Sequence, residues 1–334
     1  MKNKWGCFAI VLLVLLCLSI LVNLVLMGKV SSKAVADVNN KLPHFSEVLV
    51  AKSSGGSSDK IALINLRGLI STSIEGTVGE TMVDDIKFAL QQALDDNKVK
   101  AIVVNVDSPG GEVTASDMIY QAVKKARAVK PVVIYMGSLD ASGGYYVSCG
   151  GSYLMANETS LTGSIGVIIE SINYSQLMGK IGVAPVVFKS GAFKDMLSGA
   201  REMTQEEKDY VQAMITETYQ KFFQIVSDER KIPADQLKPF ADGRVITGKD
   251  ALGDKLVDGL GQIEDAYAKA RELGNAPGAS VVLYKPGFAF ERLFKMFGES
   301  SESSRAKIEV NLTQKLLPPL EPGKLYLLPD YYAQ

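Results

Sequence analysis

The chain has 334 residues, 47% hydrophobic and 22% charged, with 36 basic against 37 acidic side chains. That balance excludes disorder as the main state and, without a basic excess, argues against a nucleic-acid binder. One histidine, His44, and three cysteines, Cys7, Cys17 and Cys149, exclude a His-rich metal centre, a four-cysteine zinc site and a disulfide framework. No metal or cofactor is expected, and a hydrolase built from this chain needs a base other than a well-placed histidine.

In chain order, residues 1–6 precede an uncharged run, CFAIVLLVLLCLSILVNLVLM, at 7–27. At about 1.5 Å per residue this run forms a helix long enough to cross a bilayer core of roughly 30 Å. It exceeds the roughly 7–15 apolar residues of a signal-peptide core, so an uncleaved single-pass anchor is expected, although Ala34-Val35-Ala36 resembles a cleavage site. Lys2 and Lys4 lie before the run and Lys29 and Lys33 after it, a count that leans slightly toward a cytoplasmic N-terminus. Cys149 is then the only thiol in the rest of the chain, so no intrachain disulfide forms there. Residues 28–60 read as a linker that contains His44 and ends in KSSGGSSDK; a histidine in such a segment is given no role.

From Ile61 the pattern is regular. IALINLRGLI reads as a strand, TMVDDIKFALQQALDD as a helix with Met82, Val83, Ile86, Leu90, Ala93 and Leu94 on one face, and KAIVVNVDS as a buried strand. A helix over Val113 to Val129, a strand PVVIYMG and a small-residue helix over Ala141 to Cys149 follow. SYLMANETS, SIGVIIE, a helix near Ser175 to Ile181 and a strand VAPVVFKSG come next. This alternation predicts an α/β domain with largely parallel pairing and right-handed crossovers. After Thr204 a long helix begins, with Thr204 and Glu207 spaced as a capping box. Short helices are expected at Gly248 to Leu252 and Ile263 to Leu273. The tail holds one strand, an amphipathic FERLFKMF, KIEVNL and a proline-rich end. The domain is bounded at 61–275, with 276–334 as an extension.

Two glycine-rich turns follow strands. Asp107-Ser108-Pro109-Gly110-Gly111 exposes backbone N–H groups suited to an anion or oxyanion, or is simply a turn. Asp140-Ala141-Ser142-Gly143-Gly144 sets a serine at a helix start, either as a presented hydroxyl or as an N-cap in a tight contact. A third element, Lys189-Ser190-Gly191-Ala192-Phe193-Lys194-Asp195, offers a lysine. Lysine serves a serine as base where burial depresses its pKa from about 10.4, and is otherwise a solvated surface residue.

Taken together and in order, DSPGG, ASGGYYVS, TGSIGV and KSGAFKD followed by REMT resemble the signal peptide peptidase A family of membrane-bound serine peptidases, in its short single-repeat form. The likeness runs from about Ile61 to Ala270. It implies a Clp-protease/crotonase-like fold of repeated ββα units behind one N-terminal transmembrane helix, and a Ser–Lys dyad with Ser142 as nucleophile and Lys194 as general base. By the same resemblance the N–H groups of Gly111 and Gly143 form the oxyanion hole and Ser164 orients the lysine. Lys189 is the competitor for the base. The resemblance also implies a homo-oligomeric ring whose active sites are shared between protomers, apolar cleaved signal peptides as substrates, and a catalytic domain on the extracytoplasmic side of the cell membrane. Two other functions fit part of the pattern. A crotonase-like acyl-CoA hydratase or isomerase needs neither the serine nor the anchor, and an inactive membrane-peptide-binding scaffold needs neither Ser142 nor Lys194.

Overall fold

The computed structural model of the chain describes Ser19, residues 45–52, 56–72, 82–286 and 326–327. The chain divides into two compact units, Met1–His44 and Phe45–Gln334. In the first, Ser19 is helical; the rest of the expected anchor at 7–27 lies outside the described residues, as do FERLFKMF and KIEVNL. No helix of the described residues is long and apolar enough to cross a membrane.

The second unit is a mixed α/β sheet. Its strands are β1 (Ser46–Ala51), β2 (Lys60–Arg67), β3 (Val99–Ser108), β4 (Gly111–Glu112), β5 (Val132–Ala141), β6 (Tyr153–Ala156), β7 (Leu161–Gly163), β8 (Val245–Thr247), β9 (Gly259–Leu260), β10 (Ser280–Lys285) and β11 (Tyr326–Leu327). The helices are α1 (Met82–Asp95), α2 (Val113–Arg127), α3 (Gly143–Ser148), α4 (Ser175–Lys180), α5 (Gln205–Arg230), α6 (Ala234–Leu237), α7 (Gly248–Gly253) and α8 (Ile263–Leu273). The main sheet runs β1-β10-β2-β3-β5-β6-β9. All of these pairs are parallel except β1 with β10. β7 adds to the end of β5 in parallel and carries β8 antiparallel.

The central strands are apolar on both sides because both faces are covered. On β3, Ile102, Val104 and Val106 face one core together with α1, α2 and α3, while Ala101 and Val103 face the other with Ala266, Tyr267 and Ala270 of α8. β5 alternates in the same way, with Ile134 and Met136 against Val133 and Tyr135. The period of two therefore sorts each residue into a core, and a slip of one residue would exchange the two sets. Along α1, Val83, Ile86, Leu90 and Ala93 are buried at helical spacing. α5 starts with the expected capping box: Thr204 Oγ1 accepts from the Glu207 N–H, and the Glu207 carboxylate accepts from the Thr204 N–H.

Three sequence expectations differ from the fold. Within the span read as a linker, Ser46–Ala51 is a strand on β10, itself part of the segment taken as an extension. SIGVIIE is not a strand; the β-pairing falls just before it, at Leu161–Gly163. VAPVVFKSG forms no strand either and lies exposed throughout.

Candidate active site

Ser142 is the single residue between the end of β5 and the start of α3. Its backbone is at φ 54° and ψ −113°, a left-handed φ that β-carbon sterics disfavour. The neighbours hold it there: the Ser142 N–H donates to the Gly163 carbonyl at 2.8 Å, and the Ser142 carbonyl accepts from the Tyr146 N–H at 2.9 Å. The residue is fully buried and its Oγ has no hydrogen-bond partner among the described residues. A buried hydroxyl left unpaired costs about 1–3 kcal/mol, so strain and desolvation coincide here, a combination found at functional sites.

The two glycines after Ser142 are required by space. A Cβ on Gly143 would lie 2.5 Å from Ser116 Oγ and 3.0 Å from the Gly111 nitrogen, and one on Gly144 would lie 2.7 Å from Asp140 Oδ1. The DSPGG turn packs against this face. Ser108 Oγ donates to the Gly68 carbonyl at 2.7 Å and accepts from the Gly110 N–H at 3.1 Å. Gly110 takes a φ of 101°, and a Cβ on Gly111 would run into the Ile70 carbonyl. Gly111 and Gly143 thus sit side by side next to Ser142. Beyond them the tail strand β11 pairs antiparallel with β4, Leu327 opposite Gly111 and Tyr326 opposite Glu112.

Ser164 joins the same region. It follows Gly163, whose carbonyl holds the Ser142 N–H; it is buried, has a φ of 49°, and donates its own N–H to the Arg244 carbonyl at 2.8 Å. The chain therefore brings together Ser142, Gly111, Gly143 and Ser164. It does not bring Lys194 to them. Lys194 lies in a 3₁₀ turn, Ala192–Asp195, exposed and out of hydrogen-bond reach of Ser142. Its competitor Lys189 is already engaged, at 2.7 Å from Asp195 and 2.9 Å from the Ala192 carbonyl. Asp195 is also bound by Arg201 at 2.6 Å. These two partners, Arg201 first, hold its carboxyl well below the usual carboxylate range.

The segment that carries both lysines is unusual for its exposed apolar side chains: Ile172 is 74% exposed, Val186 79% and Phe188 94%. Its two limbs are tied to each other, Tyr174 N–H to the Gly199 carbonyl and Ser171 Oγ to the Leu197 carbonyl.

Two residues near Ser142 escaped the sequence reading. Ser116, on α2, is fully buried, with a hydroxyl facing Gly143 that has no partner among the described residues. Asp140, two residues before Ser142, is fully buried, and burial pushes its carboxyl up to about 7. A carboxylate beside a small-residue serine turn was the available signal for the second; nothing in the sequence separates Ser116 from the other polar residues of α2. Cys149 is buried, and burial pushes its thiol up to about 12, which leaves it unreactive. Among the described residues no group of three or more acidic, cysteine or histidine side chains is placed to hold a metal ion.

A peptidase family S49 model matches residues 124–276 and a Clp protease model matches residues 54–162; the two overlap across the Ser142 turn. Among curated proteins, a candidate signal peptide peptidase SppA from Enterococcus faecium is 34% identical over 70% of this chain and 70% of its own length. The chain belongs to peptidase family S49. A candidate protease of Methanocaldococcus jannaschii is 41% identical over 57% of this chain, and the match spans 61% of that relative. The chloroplastic serine protease SPPA of Arabidopsis thaliana is 31% identical over 66% of this chain and 33% of its own. S49 proteins are serine proteases, and the Clp protease match fits the mixed sheet.

Proposed function

We propose that this S49 protein is a membrane-anchored endopeptidase that degrades remnant signal peptides, with Ser142 as nucleophile and Lys194 of the partner subunit as general base. The observation that carries the reading is Ser142 itself, a strained, buried serine whose hydroxyl has no partner among the described residues. Lysine acts as a base where it is withdrawn from water; closure of the exposed apolar segment onto a second copy, in a ring, provides that withdrawal and brings Lys194 to a foreign Ser142. Lys194 takes the Ser142 proton as Oγ attacks the peptide carbonyl. The N–H groups of Gly111 and Gly143 receive the oxyanion, and the lysine returns the proton to the leaving amine. Water then hydrolyses the acyl-enzyme by the same route, with Ser164 orienting the lysine. The substrate adds as an extended strand to β4. The pairing of β11 with β4 supports that mode, because it sets a peptide of this same chain beside Gly111.

The test is hydrolysis of an apolar peptide by the detergent-solubilised full chain. Ser142→Ala and Lys194→Ala are each expected to lower kcat by about 10⁴-fold or more, while Lys189→Ala stays within about tenfold of wild type. Full activity in either of the first two variants rules out the dyad.

A further inference from the structure

Asp140 is used by no step above, yet its carboxyl lies at the centre of the site's scaffold. It sits on β5 in register with Ser108 of β3 on one side and Thr162 of β7 on the other. Its Oδ2 accepts from Ser148 Oγ at 2.5 Å and its backbone carbonyl from Thr162 Oγ1 at 2.7 Å. Among the described residues its Oδ1 has no donor. That oxygen and the Ser108 carbonyl oxygen both border Gly144, 2.7 and 3.1 Å from the place where it would carry a Cβ. Two acceptors brought near one another in a dry interior repel, and a proton on one of them relieves the repulsion.

We propose that Asp140 is a positioning residue that works protonated, its Oδ1–H bonding the Ser108 carbonyl and thereby clamping the DSPGG turn to the Ser142 turn. The inference rests on the Ser142 reading. Ser108 is the residue whose hydroxyl orients Gly110, so the clamp fixes Gly111 relative to Gly143 and with it the two oxyanion donors. When the proton leaves, a negative charge faces the Ser108 carbonyl, the two turns move apart, and transition-state stabilisation falls with little change in ground-state binding.

The surroundings favour the neutral acid. Asp107, on β3, adds a like charge. From α3, Ser148 donates to Asp140, and Tyr145 and Cys149 are neutral, burial having raised both well above neutrality. Arg230 of α5 reaches toward Tyr145 and Cys149, but its guanidinium is paired with Asp258 at 2.6 Å. Burial first, then the Asp107 charge, raise the carboxyl to about 7 against the Ser148 hydrogen bond, which favours the carboxylate.

Asp140→Asn reproduces the protonated pattern, an amide N–H toward Ser108 and a carbonyl toward Ser148. The ratio of its kcat to that of wild type is expected near one at about pH 5.5 and to rise about fivefold or more by about pH 8.5, with KM little changed. A ratio flat with pH overturns the clamp. Stability gives a second readout that needs no activity. A carboxyl raised by burial binds its proton more tightly in the folded state, so its contribution is full below the unfolded pKa of about 3.9 and is lost as pH rises toward about 7. In the Ser142→Ala background, the carboxyl form should lose stability across that window and the Asn form should lack this loss. Failure of Ser142→Ala to abolish hydrolysis would reject the nucleophile and leave this stability comparison standing. If Asp140→Asn does not fold, the infrared carbonyl band of a neutral carboxylic acid in the unaltered protein at about pH 6 decides the matter: its presence supports the clamp and its absence overturns it.

Discussion

Ser142 carries a left-handed φ, complete burial and an unpaired hydroxyl at once, and each is unfavourable to folding. A residue retained for the fold alone would shed at least the hydroxyl, since its removal exposes nothing and leaves no partner unsatisfied. Ser142→Ala is therefore expected to stabilise the protein by about 1 kcal/mol, and at most about 3, while abolishing hydrolysis. Matched denaturant titrations check it: a lower midpoint for the alanine variant at unchanged slope would mean that Oγ makes a favourable bond in the assembled protein. The opposite logic holds at Gly143 and Gly144, where any side chain meets Ser116, Gly111 or Asp140. The serine could be replaced without steric cost and the glycines could not, so the turn is shaped by backbone crowding and the chemistry rests on one substitutable atom.

Among the elements, those legible in the sequence were the ones whose partners lie in the same chain. β2, β3 and β5 read as apolar runs because helices cover both sheet faces, and α5 declared itself through Thr204 and Glu207. SIGVIIE and VAPVVFKSG read as strands on the same apolar content but form none; hydrophobicity says that a segment wants cover without saying whose. β1 was missed for a related reason, since its residues 46–50 are exposed and only hydrogen bonding to β10 makes them a strand. Of the candidate site, Ser142, Gly111, Gly143 and Ser164 are picked out by their motifs and the fold sets them in one region, whereas the role proposed for Asp140 depends on a cross-strand register that no motif encodes. β11 yields a prediction of its own. It occupies β4, the edge to which the proposed substrate adds, so deleting residues 319–334 should lower KM for an apolar peptide by severalfold. Unchanged kinetics and unchanged oligomer size in the truncated chain would remove the tail from the groove.

On the scale of the whole molecule, the separation of Lys194 from Ser142 is the feature to be explained. Within one chain the proposed nucleophile is buried, while the lysine proposed as its base stands exposed on a segment whose Ile172, Val186 and Phe188 are bare. Exposed apolar surface of this kind is a mark of an interface, and a segment that reaches away from its own core suits the heterologous contact that the proposed ring requires. The single histidine, His44, is given no role, so the shared-site proposal takes its base from Lys194 of the partner subunit. If the site is shared, neither half is lost when the other is mutated. Ser142→Ala subunits retain a working lysine and Lys194→Ala subunits a working serine, so two inactive preparations, dissociated and reassembled at equal ratio, should recover about one quarter of wild-type activity, the fraction of sites that draw each half from the intact donor. The recovered activity should rise with reassembly time and be lost when Phe188→Asp is added to both variants. A mixture that stays inactive after subunit exchange has been verified by mass spectrometry would place serine and lysine in the same protomer, and would require the segment to fold back onto its own chain.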